Sequence, residues 1–184
     1  MTDTFRTSQP VFAADPATPH LVLVGLPGAG KTTVGEAVAR RLKRPFLDLD
    51  REIERRQGMT VNAIFAERGE HVFRGLEREL TEELRSAGGM VLAPGGGWIA
   101  DPGNVALLRP PARIIYLRVT PETAFRRMGP ERDARPLLQR PDPLGEVRKL
   151  EHARRSLYEG SADVTVNTEL LTVSQVVNKV CELV

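Results

Sequence analysis

Residues 25–33 read GLPGAGKTT. Four positions separate Gly25 from Gly30, and Lys31-Thr32 follows directly. This spacing belongs to a loop that wraps an anion. Its glycines let the backbone turn its N–H groups inward, and the helix that follows adds its positive end. The motif carries meaning only between a strand and a helix. Both are expected here. LVLVG at 21–25 is a short β-branched and leucine run ending in glycine, suited to a strand buried on both faces. Val34, Val38 and Leu42 then recur at four-residue steps, the stripe of a helix.

Outward from this loop the strand and helix signals alternate. PFLDLD (45–50) reads as a second strand, and residues 60–86 as helix in two pieces broken near Gly69. Val72, Phe73, Leu76, Leu80 and Leu84 make the stripe expected to be buried there. MVLA (90–93) is a third strand, ended by Pro94 and three glycines. A short helix is expected at 104–109, and RIIYLRV (113–119) is a fourth strand. Pro121 suits the start of the next helix. Helix is expected over 144–158, a fifth strand over 163–167 and a last helix over 172–184. Alternation of this kind predicts a mainly parallel five-stranded sheet with helices on both faces, an α/β architecture.

At 184 residues the chain suits one domain. Residues 20–184 form that domain, and 1–19, rich in Thr, Pro, Asp and Ala, read as a loose tail. Residues 129–143 hold four prolines, one glycine, three arginines and three acids. They are too polar and proline-broken for core and read as a mobile surface loop. The formal charge is only +2, and basic and acidic residues alternate, which argues against nucleic acid as the main partner. The one cysteine, Cys181, makes no intramolecular disulfide and is too few for a zinc cluster. Val177, Val180 and Val184 around it point to burial on a helix. No run of about eighteen apolar residues predicts a membrane span, and residues 1–20 lack the apolar run of a secretory signal. A cytoplasmic monomer is expected.

The loop's chemistry points to a nucleotide. Lys31 can reach the β- and γ-phosphates of ATP or GTP, and the Thr32 hydroxyl can ligate Mg²⁺. Asp48 and Asp50 stand two apart on the expected second strand and so share a face at its carboxyl end, where ligands of parallel sheets bind. One can face the magnesium waters and the other the acceptor. The same pair also fits solvated loop acids, or a cap for a helix beginning near Arg51.

Taken together, GxxGxGKT at 25–32, DLD at 48–50, FRGLE at 73–77, PGGG at 94–97, RPLL at 135–138 and RRSLYEGSAD at 154–163 resemble shikimate kinases in order and spacing. The resemblance covers about residues 20–184. It implies the three-layer P-loop kinase fold of the nucleoside-monophosphate-kinase type, with a helical substrate-binding region (about 50–86) and a mobile lid (about 129–143). It also implies transfer of the ATP γ-phosphate to the 3-hydroxyl of shikimate, on the route to chorismate and the aromatic amino acids. ATP and Mg²⁺ are the implied cofactors, and shikimate the implied small-molecule partner.

Residue by residue, the resemblance assigns nucleotide binding to Gly28, Ala29, Gly30, Lys31, Thr32 and Thr33, and the metal side to Thr32 and Asp48. Asp50 would orient the shikimate hydroxyls first and accept a proton second, because phosphoryl transfer depends more on positioning than on a strong base. Gly95, Gly96 and Gly97 would bring backbone close to the substrate. Arg74 and Arg154 would hold its carboxylate, for which the planar arginine fork is suited. On residue chemistry alone, Arg74 also fits a surface arginine paired with Glu70 or Glu77. Arg155 competes with Arg154 for the second position. Lys31, Asp50 and Arg135 would act in catalysis, and Arg135 would also bind the nucleotide by closing on its phosphates. Arg126 or Arg127 is the candidate neighbour of adenine. Arg132 and Arg140 fit solvated loop positions, and His71 and His152 solvated helix positions.

Two departures stand out. Ser156 replaces a usual proline, and Trp98 follows the glycines where small residues are common. The indole either packs beneath the sheet end or crowds the acceptor pocket. The rival readings are another small hydroxy-acid kinase of this fold, such as a gluconate kinase, and a non-catalytic ligand sensor.

Overall fold

A computed structural model describes residues 17–129 and 140–184. Five strands form one sheet: β1 (Leu21–Val24), β2 (Phe46–Asp48), β3 (Val91–Ala93), β4 (Arg113–Arg118) and β5 (Val164–Asn167). Their spatial order is β2-β3-β1-β4-β5, and every pairing is parallel. β1 therefore lies at the centre. All four of its residues are buried, as its unbroken apolar run requires.

Among the described residues eight helices flank the sheet: α1 (Lys31–Leu42), α2 (Leu49–Gln57), α3 (Val61–Arg68), α4 (Glu70–Leu84), α5 (Pro102–Leu108), α6 (Pro121–Met128), α7 (Pro143–Ser161) and α8 (Val173–Glu182). α1 packs on β3 and α8, and α7 packs on β4 and α6. The split near Gly69 is present, with that glycine at φ 87 between α3 and α4.

The second strand is shorter than expected. It stops at Asp48, and α2 begins at Leu49. The cause is a cap: the Asp48 carboxylate accepts from Arg51 N at 3.2 Å, satisfying an orphan donor of the first turn. Asp50 thus rides the first turn of a helix, not a strand, and the same-face strand geometry expected of Asp48 and Asp50 does not hold. A cap also starts α5 two residues early, at Pro102. Asp101 Oδ1 accepts from Gly103 N at 2.8 Å, and proline takes the position that needs no N–H.

The expected tail boundary also shifts. Thr18 and Pro19 are tied into the fold, their carbonyls accepting from Gly89 N at 2.6 Å and from Arg44 at 3.1 Å. On α4, Phe73, Leu80 and Leu84 are buried as expected, while Val72 and Leu76 are only half-buried. Glu77 and Thr81, both polar, are fully buried beside them. Cys181 is half-buried, next to the buried Val180 and one helical turn after the buried Val177. No helix among the described residues is long and apolar enough to cross a membrane.

Candidate active site

The phosphate loop joins the end of β1 to the start of α1. Gly28 has φ 82, and a Cβ there would overlap the Ala124 carbonyl of α6, so only glycine fits. Lys31 Nζ folds back over the loop, donating to the Gly25 and Leu26 carbonyls at 3.0 and 3.1 Å. The Thr32 hydroxyl donates to Asp48 Oδ2 at 2.8 Å.

Two cavities meet at this loop. One, of about 570 Å³, is lined by Gly28 to Thr33 and by Arg127, Thr168 and Leu171. It has the position and polarity of a nucleotide site. The other, of about 580 Å³, is lined by Asp48, Asp50, Arg74, Gly95, Gly96, Gly97 and Arg154. Lys31 and Thr32 line both, so the two cavities share the place where a γ-phosphate would lie.

Three of the second cavity's charged groups, Asp50, Arg74 and Arg154, come from three different helices. Asp50 enters from α2 and sits against Gly95, where an added Cβ would lie 2.5 Å from its Oδ1. Arg74 enters from α4. Its Nη1 donates to Glu77 Oε2 at 2.8 Å and its Nη2 to Glu70 Oε1 at 2.9 Å, so the pairings that α-helical spacing suggested are present in an arginine that also lines the cavity. Its guanidinium also lies 5.4 Å from the Phe73 ring centroid. Arg56 bridges Glu52 of α2 and Glu83 of α4, each at 2.8 Å, and so ties together the helices that carry Asp50 and Arg74.

Arg154 enters from α7 and donates to the Gly96 carbonyl at 2.8 Å. Arg155, one residue on, faces outward and pairs with Glu151 at 2.6 Å. Of the adenine candidates, Arg127 lines the first cavity and is held by the Thr168 hydroxyl and carbonyl at 3.0 and 2.7 Å. Arg126 donates instead to Thr123. Arg132 and Arg135 fall outside the described residues, as does most of the expected lid. Arg140 pairs with Glu146 at 2.9 Å, and His71 and His152 are exposed.

Trp98 is fully buried. Its indole N–H donates to Thr81 at 3.0 Å, and it does not line the acceptor cavity. Residue spacing paired Glu77 with Arg74 but placed the pair on the surface, and so missed the burial of Glu77. Burial raises its carboxyl to about 7, against the pull of Arg74, and nearby Asp50 adds to the rise. Its only signal in the sequence is its place as the last letter of FRGLE, three residues after Arg74.

Among the described residues no group of three or more His, Cys, Asp or Glu is arranged as a metal cage. Thr32 and Asp48 supply one hydroxyl and one carboxylate side by side. That sparse oxygen set suits Mg²⁺, which keeps several waters and takes further oxygens from a phosphate substrate.

The family profile described as shikimate kinase matches residues 27–184. The shikimate kinase of Cupriavidus pinatubonensis is 44% identical over 162 residues, spanning 88% of this chain and 84% of that protein. That of Symbiobacterium thermophilum is 42% identical over 164 residues, 89% and 94% of the two chains. Among solved structures, the shikimate kinase from Acinetobacter baumannii in complex with shikimate has a TM-score of 0.86 at 38% identity, covering 91% of this chain and 93% of that one. The enzyme from Aquifex aeolicus has a TM-score of 0.74 at 28% identity, covering 89% and 94%. With the parallel sheet, the phosphate loop and the two joined cavities, these likenesses lead to one conclusion: the chain belongs to the shikimate kinase family.

Proposed function

We propose that the protein transfers the γ-phosphate of ATP to the 3-hydroxyl of shikimate, yielding shikimate 3-phosphate and ADP in the pathway to chorismate. One observation carries this reading. Lys31 and Thr32 line both cavities, and the acceptor side of that junction includes Asp50 together with Arg74 and Arg154.

In this reading Arg74 and Arg154 hold the shikimate carboxylate, which turns the ring's hydroxyls toward Asp50. Asp50 accepts a hydrogen bond from the 3-hydroxyl and aims its oxygen at the γ-phosphorus. As the new P–O bond forms and the bond to the β-phosphate oxygen breaks, the hydroxyl proton passes to Asp50 or to the phosphate. Lys31 leaves the loop carbonyls for the phosphate oxygens. Arg135, outside the described residues, would bring further positive charge to the phosphates. Thr32 and Asp48 would hold Mg²⁺, which neutralises phosphate charge when bound. Positioning and charge neutralisation supply most of the acceleration for this class of reaction.

ADP release from Mg·ATP, with and without shikimate, tests the reading. Shikimate-dependent release of one ADP per shikimate 3-phosphate is expected. Intact ATP binding with no stimulation by shikimate would sink the assignment.

A further inference from the structure

One carbonyl of the acceptor loop meets two side chains of α7. Gly96 O receives two side-chain donors from α7, Arg154 Nη1 at 2.8 Å and the Tyr158 hydroxyl at 3.1 Å. The donors are four residues apart, on one face of the helix. Arg154 reaches the acceptor cavity, whereas Tyr158 is buried and does not line it.

The Tyr158 ring is clamped. It stacks on Tyr116 of β4, with centroids 5.0 Å apart and 14° between the planes. Tyr116 pairs in register with Val24, the last residue of β1 before the phosphate loop. The phenol thus runs from the strand beside the phosphate loop to the glycines of the acceptor loop. Burial pushes its pKa up to about 12, against the opposing effect of Arg154, so it stays a neutral donor at working pH.

A buried phenol usually finds some acceptor simply to avoid an unpaired hydroxyl. Here the acceptor is the carbonyl that Arg154 also uses. Fixing that carbonyl fixes the peptide plane, because the Gly97 N–H of the same trans peptide must point the opposite way, away from α7. It also fixes the seat of Arg154.

We propose that Tyr158 is a positioning residue for the acceptor: its hydroxyl sets the Gly96–Gly97 peptide and, through the shared carbonyl, the place of Arg154. The inference rests on the shikimate reading above. Tyr158→Phe removes the hydroxyl and keeps the ring and its stack. Steady-state kinetics should show KM for shikimate raised about fivefold, the equivalent of one ordinary hydrogen bond. KM for ATP should stay within about twofold of wild type.

An unchanged KM for shikimate would overturn the proposal. So would a parallel rise in both KM values with a lowered Tm, the pattern of a purely structural residue. Combining Tyr158→Phe with Arg154→Lys should change KM for shikimate by less than the product of the single effects, because both act at one carbonyl. A multiplicative result would overturn the route through Arg154. Failure of the wild-type protein to phosphorylate shikimate would be a different outcome, and would fall on the proposed function itself.

Discussion

Arg74 Nη1 lies 2.8 Å from Glu77 Oε2, and that glutamate is completely buried. The arginine expected to meet the substrate carboxylate is therefore already paired with a protein carboxylate. Desolvation outweighs the pairing, so the Glu77 carboxyl is raised to about 7 instead of lowered. Protonation at Glu77 decides how much of Arg74's charge is left for the substrate.

The sign of the resulting pH dependence follows. A carboxyl raised in the folded state favours the fold most when protonated. Its contribution is complete below about pH 4.5 and is lost as pH rises through about 7. Wild-type Tm should fall from pH 6 to pH 8 by more than that of Glu77→Gln, as calorimetry at the two pH values would show. KM for shikimate should rise over the same interval, by up to about tenfold for one pKa unit of coupling. In Glu77→Gln it should be flat. A wild-type profile with no inflection near neutrality would remove Glu77 from this role.

Gly95 and Asp50 touch so closely that the glycine has no room for a methyl group. Gly95→Ala should push Asp50 out of line with the acceptor and lower kcat/KM for shikimate about 100-fold, the usual cost of a misplacement near 1 Å. Nucleotide affinity, measured by titration calorimetry, should be retained. Full activity in this variant would show that the position of Asp50 is not critical.

Arg154 and Arg155 provide a paired test. Arg154→Ala removes the charged donor to Gly96 and should raise KM for shikimate about 10- to 100-fold. Arg155→Ala breaks only an exposed pair with Glu151 and should stay within about twofold of wild type. The reverse pattern would move the substrate contact by one residue.

Trp98 belongs to the core, so its replacement should act on stability. Trp98→Phe loses the hydrogen bond to Thr81 and part of the buried ring. A loss of about 1–2 kcal/mol is expected, or about 2–8 °C in Tm for a chain of this size. KM for shikimate should move less than about twofold. An unchanged Tm with an altered choice among hydroxylated acids would instead place the indole's influence in the acceptor cavity.

Local chemistry made much of this protein legible in its sequence. The phosphate loop is contiguous, so its spacing, its flanking strand and its following helix could all be read from one stretch of chain. The alternation of apolar runs and helical stripes indicated the parallel sheet, because burial on both faces leaves a strand no polar positions. What local pattern does not contain is the phase of one element against another. A helix turns about 100° per residue, so only the packing of α7 against the glycine loop separates Arg154 from Arg155. Asp50 reads as strand by alternation, yet the Asp48 cap starts a helix first. Glu77 reads as surface by polarity, yet α4 turns it inward behind Arg74, where burial changes its proton affinity. Tyr158 meets Gly96 across 62 positions of chain. Such contacts arise from the meeting of distant segments, and the tertiary structure alone decides them.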